Sequence, residues 1–436
     1  MNKRILIAIF ICIGLAVNGS AETVLTVEKV RERALEYNRQ LQSARQEPDR
    51  SSGEIISARS GALPQLSLEG RYTRNIESQT LFFGDEKIPI GLKNDFSLSL
   101  SLTQPLYVGG KVGSALKIAK IYKNYSEEKV LEVESDVVYG AEQIFYAALM
   151  SQSQCDVIKS AYDQMSHNLE VVEKFYSQGM VSEFEFLRAK VEKMNLEPQL
   201  IAVESQKNIL TKQLKSFLGY PLDENIVLLS DFSDTTLAGL VSMNELTAKA
   251  IGSRPEMKQA TLQKQGYKNA IRIAKGDWLY PSVYFNTAYG ITGSSDNFKL
   301  NDRNSSNSWS ASLMVSVPLF DGGRSIGEVR KAKTDYHQAQ LSELQMRDDI
   351  KLEVEQAYDA LLEAKKSLDV VQETIIHAEE GMRIANLRYK TGVGTQLEIL
   401  SAQTALTDAK TNMAGAIYNF RLAKAALKKA SGTEIN

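Results

Sequence analysis

Residues 105–120 read PLYVGGKVGSALKIAK, and residues 318–333 read PLFDGGRSIGEVRKAK. The two stretches share the pattern Pro-Leu-aromatic-x-Gly-Gly-basic and are separated by 213 positions. A pattern that returns at one fixed spacing indicates an internal duplication. The same spacing, without a gap, relates four further pairs: Tyr176 and Tyr389, Gly179 and Gly392, Leu214 and Leu427, Gly219 and Gly432.

The duplication continues upstream with a slightly different spacing. ALPQLSL, which begins at Ala62, matches LYPSVYF, which begins at Leu279, at a spacing of 217. The loops of the two units therefore differ in length by four residues. We predict a first unit over 22–219, a linking segment over 220–252 and a second unit over 253–436, each of roughly 200 residues.

The N-terminus has the features of a secretory signal peptide. Lys3 and Arg4 precede an apolar run over 5–17, and small residues over 19–21 form a cleavage site, which predicts a signal peptide over 1–21. Cys155 is the one cysteine that remains after cleavage, so no internal disulfide forms, and we expect its side chain to be a small buried hydrophobe. Export without disulfides indicates a bacterial envelope protein, and a formal charge of -2 gives no reason to expect nucleic-acid binding.

Alternating residues predict one β-hairpin in each unit, over about 64–107 and about 281–320. Strict alternation gives a strand one apolar and one polar face, and here the polar faces are mostly serine. Such faces suit either a water-filled lumen or a half-buried soluble sheet. The long polar loop over 75–93 is typical of the extracellular loop of a membrane barrel. The apolar members are Leu66, Leu68, Tyr72, Phe96, Leu98, Leu100, Leu102, Val283, Phe285, Tyr289, Trp309, Ala311, Leu313, Val315 and Val317.

Very long helices follow each hairpin, over 111–178 and 183–217 in the first unit and over 324–390 and 396–430 in the second. No proline interrupts 111–178 or 324–390, and apolar residues recur there in steps of four and three, which is the heptad pattern of a coiled coil. A shorter helix precedes each hairpin, and Pro48 and Gly53 predict a kink in the first one. The second stripe runs Ile350, Val354, Ala357, Leu361, Ala364, Leu368, Val371, Ile375, Ala378, Met382, Ala385 and Tyr389, and its first-unit counterpart contains one polar member, Ser151.

Four strands cannot close a membrane barrel, since the smallest such barrels have about eight strands. Open strand edges are not tolerated in lipid, so the chain either oligomerises or is not a membrane barrel. Three copies would supply twelve strands and, because of the duplication, a nearly regular sixfold arrangement.

The chain resembles the TolC family of outer-membrane efflux proteins over nearly all of its mature length. The resemblance rests on TQPLYVGGK and SVPLFDGGR at the strand-to-helix passages, on KFYSQGMVSEFEFLRAK and LRYKTGVGTQLEILSAQ at the far helical turns, and on SRPEMKQA from Ser253. It implies a mainly α-helical fold with a β-barrel part: a homotrimer whose chains each give four strands to a shared 12-stranded outer-membrane β-barrel, continuous with a long periplasmic α-helical tunnel. The passage residues are Pro105, Gly109, Gly110, Pro318, Gly322 and Gly323, where proline ends a strand and glycine permits the turn.

The resemblance further implies that the chain is the passive exit duct of a tripartite efflux pump or a type I secretion system. Its partners would be a periplasmic adaptor (membrane fusion) protein, an inner-membrane transporter of the RND, ABC or MFS type, and outer-membrane lipid, with no nucleic acid. The alternative is a periplasmic coiled-coil adaptor or scaffold with a small soluble β-domain. An enzyme is a distant third, because no catalytic or metal-ligand pattern is evident and no cofactor is expected. His167, His337 and His377 are expected to be ordinary helix-surface residues.

The far helical turns hold the candidate site residues. The resemblance implies that Glu185 and Glu398 line a periplasmic constriction, with Arg188 and Ser401 one turn later. A carboxylate in a first helical turn also complements the helix dipole, so both interpretations stay open. Two positions depart from the family: Ser401 replaces a second acidic residue, and Gly394 replaces an arginine. The predicted adaptor-docking tips are Gly179, Met180, Val181, Gly392, Val393 and Gly394.

Overall fold

The computed structural model describes residues 23–77, 79–229, 241–297 and 305–432, so the signal peptide predicted over 1–21 lies outside the described residues. Helices dominate, and the strands are confined to a few segments. In chain order the elements are β1 (Thr23–Leu25), α1 (Val27–Tyr37), α2 (Arg39–Ala44), α3 (Glu47–Ser60), β2 (Gln65–Arg74), β3 (Gln79–Phe83), β4 (Glu86–Ile90), β5 (Asn94–Val108), α4 (Lys111–Ser177), α5 (Glu183–Leu218), β6 (Ile226–Leu228), α6 (Met243–Ser253), α7 (Pro255–Leu279), β7 (Ser282–Ser295), β8 (Ser305–Ser316), α8 (Arg324–Lys390) and α9 (Gln396–Ser431).

The main sheet has four antiparallel strands in the order β2-β5-β7-β8. Its register aligns the alternating residues of all four strands. Leu68 pairs with Leu100, Leu100 with Tyr289, and Tyr289 with Trp309, so one face of the sheet is apolar. The neighbouring row, which contains Ser99 and Ser308, lies on the opposite, serine-rich face. The predicted division into two faces is confirmed.

α4 and α8 each contain 67 residues, so each is about 100 Å long. α5 and α9 return alongside them, and the heptad stripe is the surface along which each pair packs. Val354, Leu361 and Leu368 are fully buried in α8, and Cys155 is buried at the matching position of α4, as predicted. Among the described residues, no helix is both long enough and apolar enough to span a bilayer.

In the described part of the chain, the long helices and α3 form a single layer rather than a closed bundle. Near the sheet, contacts place them in the order α3, α4, α7, α8, and toward the far turns the order is α5, α4, α9, α8. α8 therefore lies at an edge of the layer along its whole length, while α4 is flanked on both sides. Within the described residues, the helical layer has open lateral edges, as does the sheet that it continues.

Short elements cover the helices midway along their length. β1 pairs in parallel with β6, and together with α1 and α2 they pack a core against α4 and α5. α6 packs in the same manner against α8 and α9. The segment predicted as a link over 220–252 thus contains β6 and α6, and residues 230–240 lie outside the described part of the chain.

Three local predictions were wrong. The helix before the first hairpin is interrupted at Asn38 and Gln46, while Gly53 lies within the continuous α3 and Pro48 occupies its first turn, where proline needs no hydrogen-bond acceptor. The loop over 75–93 contains the β3–β4 hairpin. Pro105 does not end its strand but lies at an irregularity within β5, a position at which a sheet tolerates proline.

The strand-to-helix passage of the first unit is held by a close backbone contact. Gly109 has φ 65°, and a Cβ atom there would lie 2.6 Å from the carbonyl oxygen of Gly276 in α7. Lys111 forms an ion pair with Asp277 beside it. Because Gly110, Gly322 and Gly323 also have positive φ values, all four predicted passage glycines adopt the left-handed conformation.

Gly109→Ala is expected to destabilise the protein more than Gly110→Ala. Both substitutions place alanine at positive φ, which costs about 1–2 kcal/mol. A Cβ atom added at position 110 would have no atom within 4 Å, whereas a Cβ atom added at position 109 would clash with the backbone of Gly276. The midpoint of guanidinium unfolding, followed by helical circular dichroism in detergent, measures the difference. Equal midpoints for the two variants would contradict the contact.

Candidate functional site

The two far helical turns share one backbone design. In the first, Gly179 has φ 73°, its N–H donates to the Tyr176 carbonyl, and the Met180 N–H donates to the Phe175 carbonyl over 2.9 Å. This is a helix end closed by a left-handed glycine. The second turn repeats the arrangement: Gly392 has φ 75° and its N–H donates to Tyr389, while the Val393 N–H donates to the Arg388 carbonyl over 3.0 Å.

Each returning helix begins with a hydroxyl cap. The Glu185 N–H donates to Ser182 Oγ, and the Glu398 N–H donates to Thr395 Oγ1, both over 3.3 Å. Ser182 and Thr395 thus precede a glutamate by three residues, which is the spacing of a capping box. Both glutamates therefore occupy equivalent, partly exposed positions in a first helical turn.

The structure adds an ion pair that the sequence did not reveal. Arg388, near the end of α8, donates from Nε to Glu398 Oε2 over 2.9 Å, so the pair joins the two helices of the second turn. The Arg388 hydrogen bond is the largest influence on Glu398 and lowers the pKa of that carboxyl. The position equivalent to Arg388 in the first unit is Phe175.

The first turn is built around aromatic rings. Tyr176 stacks on Phe186, with ring centroids 5.2 Å apart. Burial, followed by the negative charge of Glu185, raises the pKa of Tyr389. Glu185 therefore lies near the end of α8, and the structure brings the first glutamate close to the second helical turn.

The remaining predicted residues surround these two glutamates. Arg188 is half-buried and Ser401 is exposed. Met180 and Val393 are 66% and 69% exposed, so each turn presents an apolar side chain at its outermost point. A Cβ atom on Gly394 would lie 2.9 Å from Arg388 Cβ and from the Tyr389 backbone nitrogen, so this turn does not accommodate the arginine that the family places there.

A polar cleft of about 740 Å³ separates α4 from α8 and α9 next to the turns. Asp163 and His167 line one wall, and Asn386 and Tyr389 line the other. Gln396 lies nearby at the start of α9 and is 2% exposed, and within the described part of the chain its amide has no hydrogen-bond partner. Buried polar atoms without partners weaken a contact. The contact between the two helix pairs is therefore less stable than the apolar contact within each pair.

The histidines are surface residues, and one of them, His167, lines the cleft beside the turns. His167 and His377 have highly exposed side chains, and His337 is exposed on α8, in agreement with their prediction as surface residues. No group of residues suited to a metal ion occurs in the described ranges.

Comparison with known proteins agrees with the resemblance. The profile of the family described as "Outer membrane efflux protein" matches residues 30–220 and 246–433. The chain is 23% identical to the outer membrane protein TolC of Salmonella enteritidis, over 97% of this chain and 85% of that protein. It is 22% identical to the alkaline protease secretion protein AprF of Pseudomonas aeruginosa, over 92% of this chain and 82% of that one.

The fold also matches a solved structure. The CmeC outer membrane channel of Campylobacter jejuni superimposes with a TM-score of 0.79 at 18% identity, over 93% of this chain and 85% of that chain. The fold and the paired helical turns define an outer-membrane channel protein whose helices extend into the periplasm. The chain belongs to the outer membrane efflux protein family and serves as an exit duct for efflux or secretion, not as an enzyme.

Removal of the Arg388 side chain is expected to loosen the second turn. In Arg388→Gln, amide hydrogen exchange over 395–399 should accelerate by about two- to fivefold, because the link between α8 and α9 is lost. Arg383→Gln is the matched control, since Arg383 pairs with Glu380 within one helix turn. Mass-spectrometric hydrogen exchange measures both variants, and equal rates in the two would contradict a bridging role.

The stabilising effect of the Arg388–Glu398 ion pair depends on pH. The folded-state pKa of Glu398 is lowered, so its stabilising effect is complete above the unfolded pKa and is lost as pH falls through the folded value. After correction for intrinsic exchange, acidification should therefore accelerate exchange over 395–399 in the parent protein. Arg388→Gln should show a smaller change over the same pH range.

Proposed function

We propose that three copies of the chain assemble into a duct that carries solutes or polypeptides across the periplasm and the outer membrane. The observation that carries this proposal is the open layer: a four-stranded sheet with one apolar and one serine-rich face, continued by helices with free lateral edges. Three such layers supply twelve strands, an even number within the range of membrane barrels. The apolar face then contacts lipid, and the serine-rich face lines water.

In this proposal transport through the duct is passive. An inner-membrane transporter of the RND, ABC or MFS type drives export, and a periplasmic adaptor joins it to the duct. AprF is by its name a protein of protease secretion, and CmeC is an outer membrane channel. The inner-membrane transporter, rather than the duct, selects the exported substrate.

Glu185 and Glu398 line the periplasmic constriction in this proposal. Three copies bring six carboxylates into one ring, which concentrates cations and repels anions. Arg388 reduces the net negative charge of this ring, because it pairs with Glu398. Phe175 occupies the equivalent position beside Glu185. Glu185 therefore supplies charge without a matching arginine across its own turn, and Arg388 offsets part of the field of Glu398. Arg188 and Ser401 follow one turn inside.

The charges of the ring are expected to set ion selectivity. Glu185→Gln together with Glu398→Gln should weaken both cation preference and block by divalent cations, because the negative field is removed. Arg388→Gln should strengthen cation preference, because Glu398 keeps its charge without a cationic partner. Reversal potentials of the detergent-purified protein in planar bilayers under a potassium chloride gradient measure these changes.

A charge-matched control is available for this experiment. Arg388→Gln combined with Glu398→Gln removes one positive and one negative charge per chain, so its selectivity should stay close to that of the parent. Unchanged selectivity in the doubly substituted glutamate variant would place the constriction elsewhere. A protein that forms no conducting pore in the bilayer would contradict the duct itself.

The exposed tips form the proposed docking surface for the adaptor. Met180 and Val393 project from neighbouring turns whose glycines fix their position, with Gly179 and Gly392 in the left-handed conformation and Val181 and Gly394 completing the turns. The polar cleft between the helix pairs extends to Lys390, two residues before Gly392. An apolar residue on a partner helix would fit against each tip, flanked by the polar walls of the cleft.

Val393→Asp is expected to reduce adaptor binding by tenfold or more, an energy of about 1.4 kcal/mol, because it places a charge at the centre of the contact. Val393→Ile conserves the apolar surface and is the control. Surface plasmon resonance with the purified adaptor encoded for the same export system measures the affinity. Wild-type affinity in Val393→Asp, with pore formation intact, would exclude the second tip from the docking surface.

A further inference from the structure

Exposed basic residues are concentrated on the parts of α4 and α7 next to the sheet. On α4, Lys117 and Lys120 are exposed. On α7, which runs back toward the sheet, Lys268, Arg272 and Lys275 are exposed. Residues three and four positions apart lie on the same side of a helix, so each set forms one stripe. α4 and α7 are in direct contact, so stripes on the same face of the helical layer are neighbours.

A groove of about 670 Å³ shows that both stripes do lie on the same face. Its walls include Asn124 and Glu127 of α4, Lys258 of α7, and Ile251 and Gly252 of α6. Asn124 and Glu127 continue the stripe of α4, and Lys258 continues the stripe of α7. Both stripes are therefore on the face of the layer that α6 covers farther from the sheet.

The second unit repeats the α4 stripe on α8. Arg330 and Lys333 lie 213 positions after Lys117 and Lys120, and both are exposed. α6 packs on α8 as α1 packs on the equivalent part of α4, so the α8 stripe also lies on the covered face. The basic residues of the three stripes together form one surface, the basic band.

The charge of the basic band is not balanced within the chain. In the part of the chain that the structure describes, no member of the band forms an ion pair. The acidic residues of the same helical segments are Asp277, Glu328 and Asp335, and each lies two positions from a member of the band. Residues two positions apart on a helix do not face each other. Asp277 and Glu328 pair instead with Lys111 and Lys331.

The basic band lies at the depth of the lipid headgroups. Lys117 and Arg330 are six residues into their helices and Lys275 is four residues before the end of α7, so these three lie about 6–9 Å from the strand-to-helix passages. Trp278 and Tyr280 at the passage are 46% and 50% exposed, as is typical of side chains at a membrane interface. Side chains on α4 and α8 tilt toward the helix N-terminus and hence toward the membrane.

In the proposed assembly the covered face of the helical layer is the outer face of the duct. Four helices abreast in each of three copies, spaced about 10 Å apart, enclose a bore roughly 25 Å wide. Three copies each of α1 and α6, helices about 10 Å in diameter, would fill that bore if they lay inside it. The basic band therefore surrounds the duct on the outside, directly below the membrane.

We propose that the basic band binds the phosphodiester groups of anionic phospholipids in the inner leaflet of the outer membrane. This inference rests on the proposed assembly and adds a ligand for its outer surface. Phosphodiester oxygens carry negative charge, and lysine binds them as a point charge while arginine binds them in a bidentate manner. Basic residues clustered next to a membrane-spanning element recognise such headgroups. The contact fixes the depth of the duct in the membrane.

The extent of the band favours lipid over an acidic polymer deeper in the periplasm. The positive charge is limited to about 17 Å of helix next to the sheet. Farther along, Glu127 is exposed on α4, and Lys258 pairs with Glu128. A polymer that followed the helices would meet mixed charge after a few turns, whereas a lipid leaflet contacts only the segment that is positive.

Competitive quenching of tryptophan fluorescence tests the proposal. The chain has two tryptophans, so Trp309→Phe leaves Trp278, close to the band, as the reporter. The purified protein is reconstituted into phosphatidylcholine vesicles that contain either brominated phosphatidylglycerol or brominated phosphatidylcholine. We expect about a fivefold preference for phosphatidylglycerol at low salt, and its loss in about 0.5 M sodium chloride, because salt screens the charges.

Neutralisation of the three members nearest the membrane should remove this preference. In Lys117→Gln with Lys275→Gln and Arg330→Gln, we expect the preference to fall to about twofold or less, because the remaining charges lie farther from the headgroups. Lys117→Arg with Lys275→Arg should keep the preference of the parent, since both positive charges are retained.

Three exposed lysines away from the sheet provide the matched control. Lys190→Gln with Lys212→Gln and Lys366→Gln removes the same number of charges and should keep the preference of the parent. An equal loss in this control would overturn the proposal, because net charge rather than the band would then be responsible.

Other outcomes also decide against the proposal. Equal quenching by the two brominated lipids in the parent, or an unchanged preference in the neutralised band, would overturn it. So would cosedimentation with purified peptidoglycan that the neutralised band loses, in a protein without lipid preference. The proposed function fails separately, and only if the parent forms no conducting pore in planar bilayers.

Discussion

Within the described residues the outer edges of β2 and β8 have no strand partner, and these open backbone edges are the constraint on which the rest of the structure depends. A strand edge presents N–H and C=O groups that require partners, and each unsatisfied group in hydrocarbon costs several kcal/mol. The apolar face of the sheet favours lipid, and the open edges forbid it for a single chain. In the proposed assembly both requirements are met together, because another copy supplies the missing strand.

Because the chain is duplicated, the contact that closes the open edges can repeat the contact between the two units of one chain. Near the sheet α3 and α8 are the outer members of the helical layer, and toward the turns α5 and α8 are the outer members. α4, the first-unit counterpart of α8, contacts α7 near the sheet and α9 toward the turns. In the proposed assembly α3 and α5 of a neighbouring copy take the places of those partners, so the strands and the helices meet the same neighbour.

The two helical turns show how the units have diverged while their backbones stayed alike. Gly179 and Gly392 close their helices with matching hydrogen bonds, and Ser182 and Thr395 cap the returning helices in the same manner. The side chains differ, since Phe175 in one unit corresponds to Arg388 in the other. A ring built from these turns has threefold rather than sixfold charge symmetry.

Periodic features could be predicted from the sequence because each repeats a local preference many times. The bounds of α4 and α8, the two faces of the sheet and the burial of Cys155 all follow from spacing alone. The Arg388–Glu398 pair could not be predicted, because it depends on the angle at which two helices meet across a turn. The β3–β4 hairpin was missed because its strands have five residues each and one of them contains a proline. The break at Asn38 comes from capping by its own side chain rather than from Pro48 or Gly53.

The mass of the mature protein extracted in detergent, corrected for bound detergent, tests the central claim most directly. If the open edges are closed by copies of the same chain, the membrane fraction contains a particle of three chains that persists without any partner protein. Sedimentation equilibrium with density matching provides that mass. A monomer or dimer that needs no detergent to remain in solution would leave the strand edges unclosed and would contradict the account.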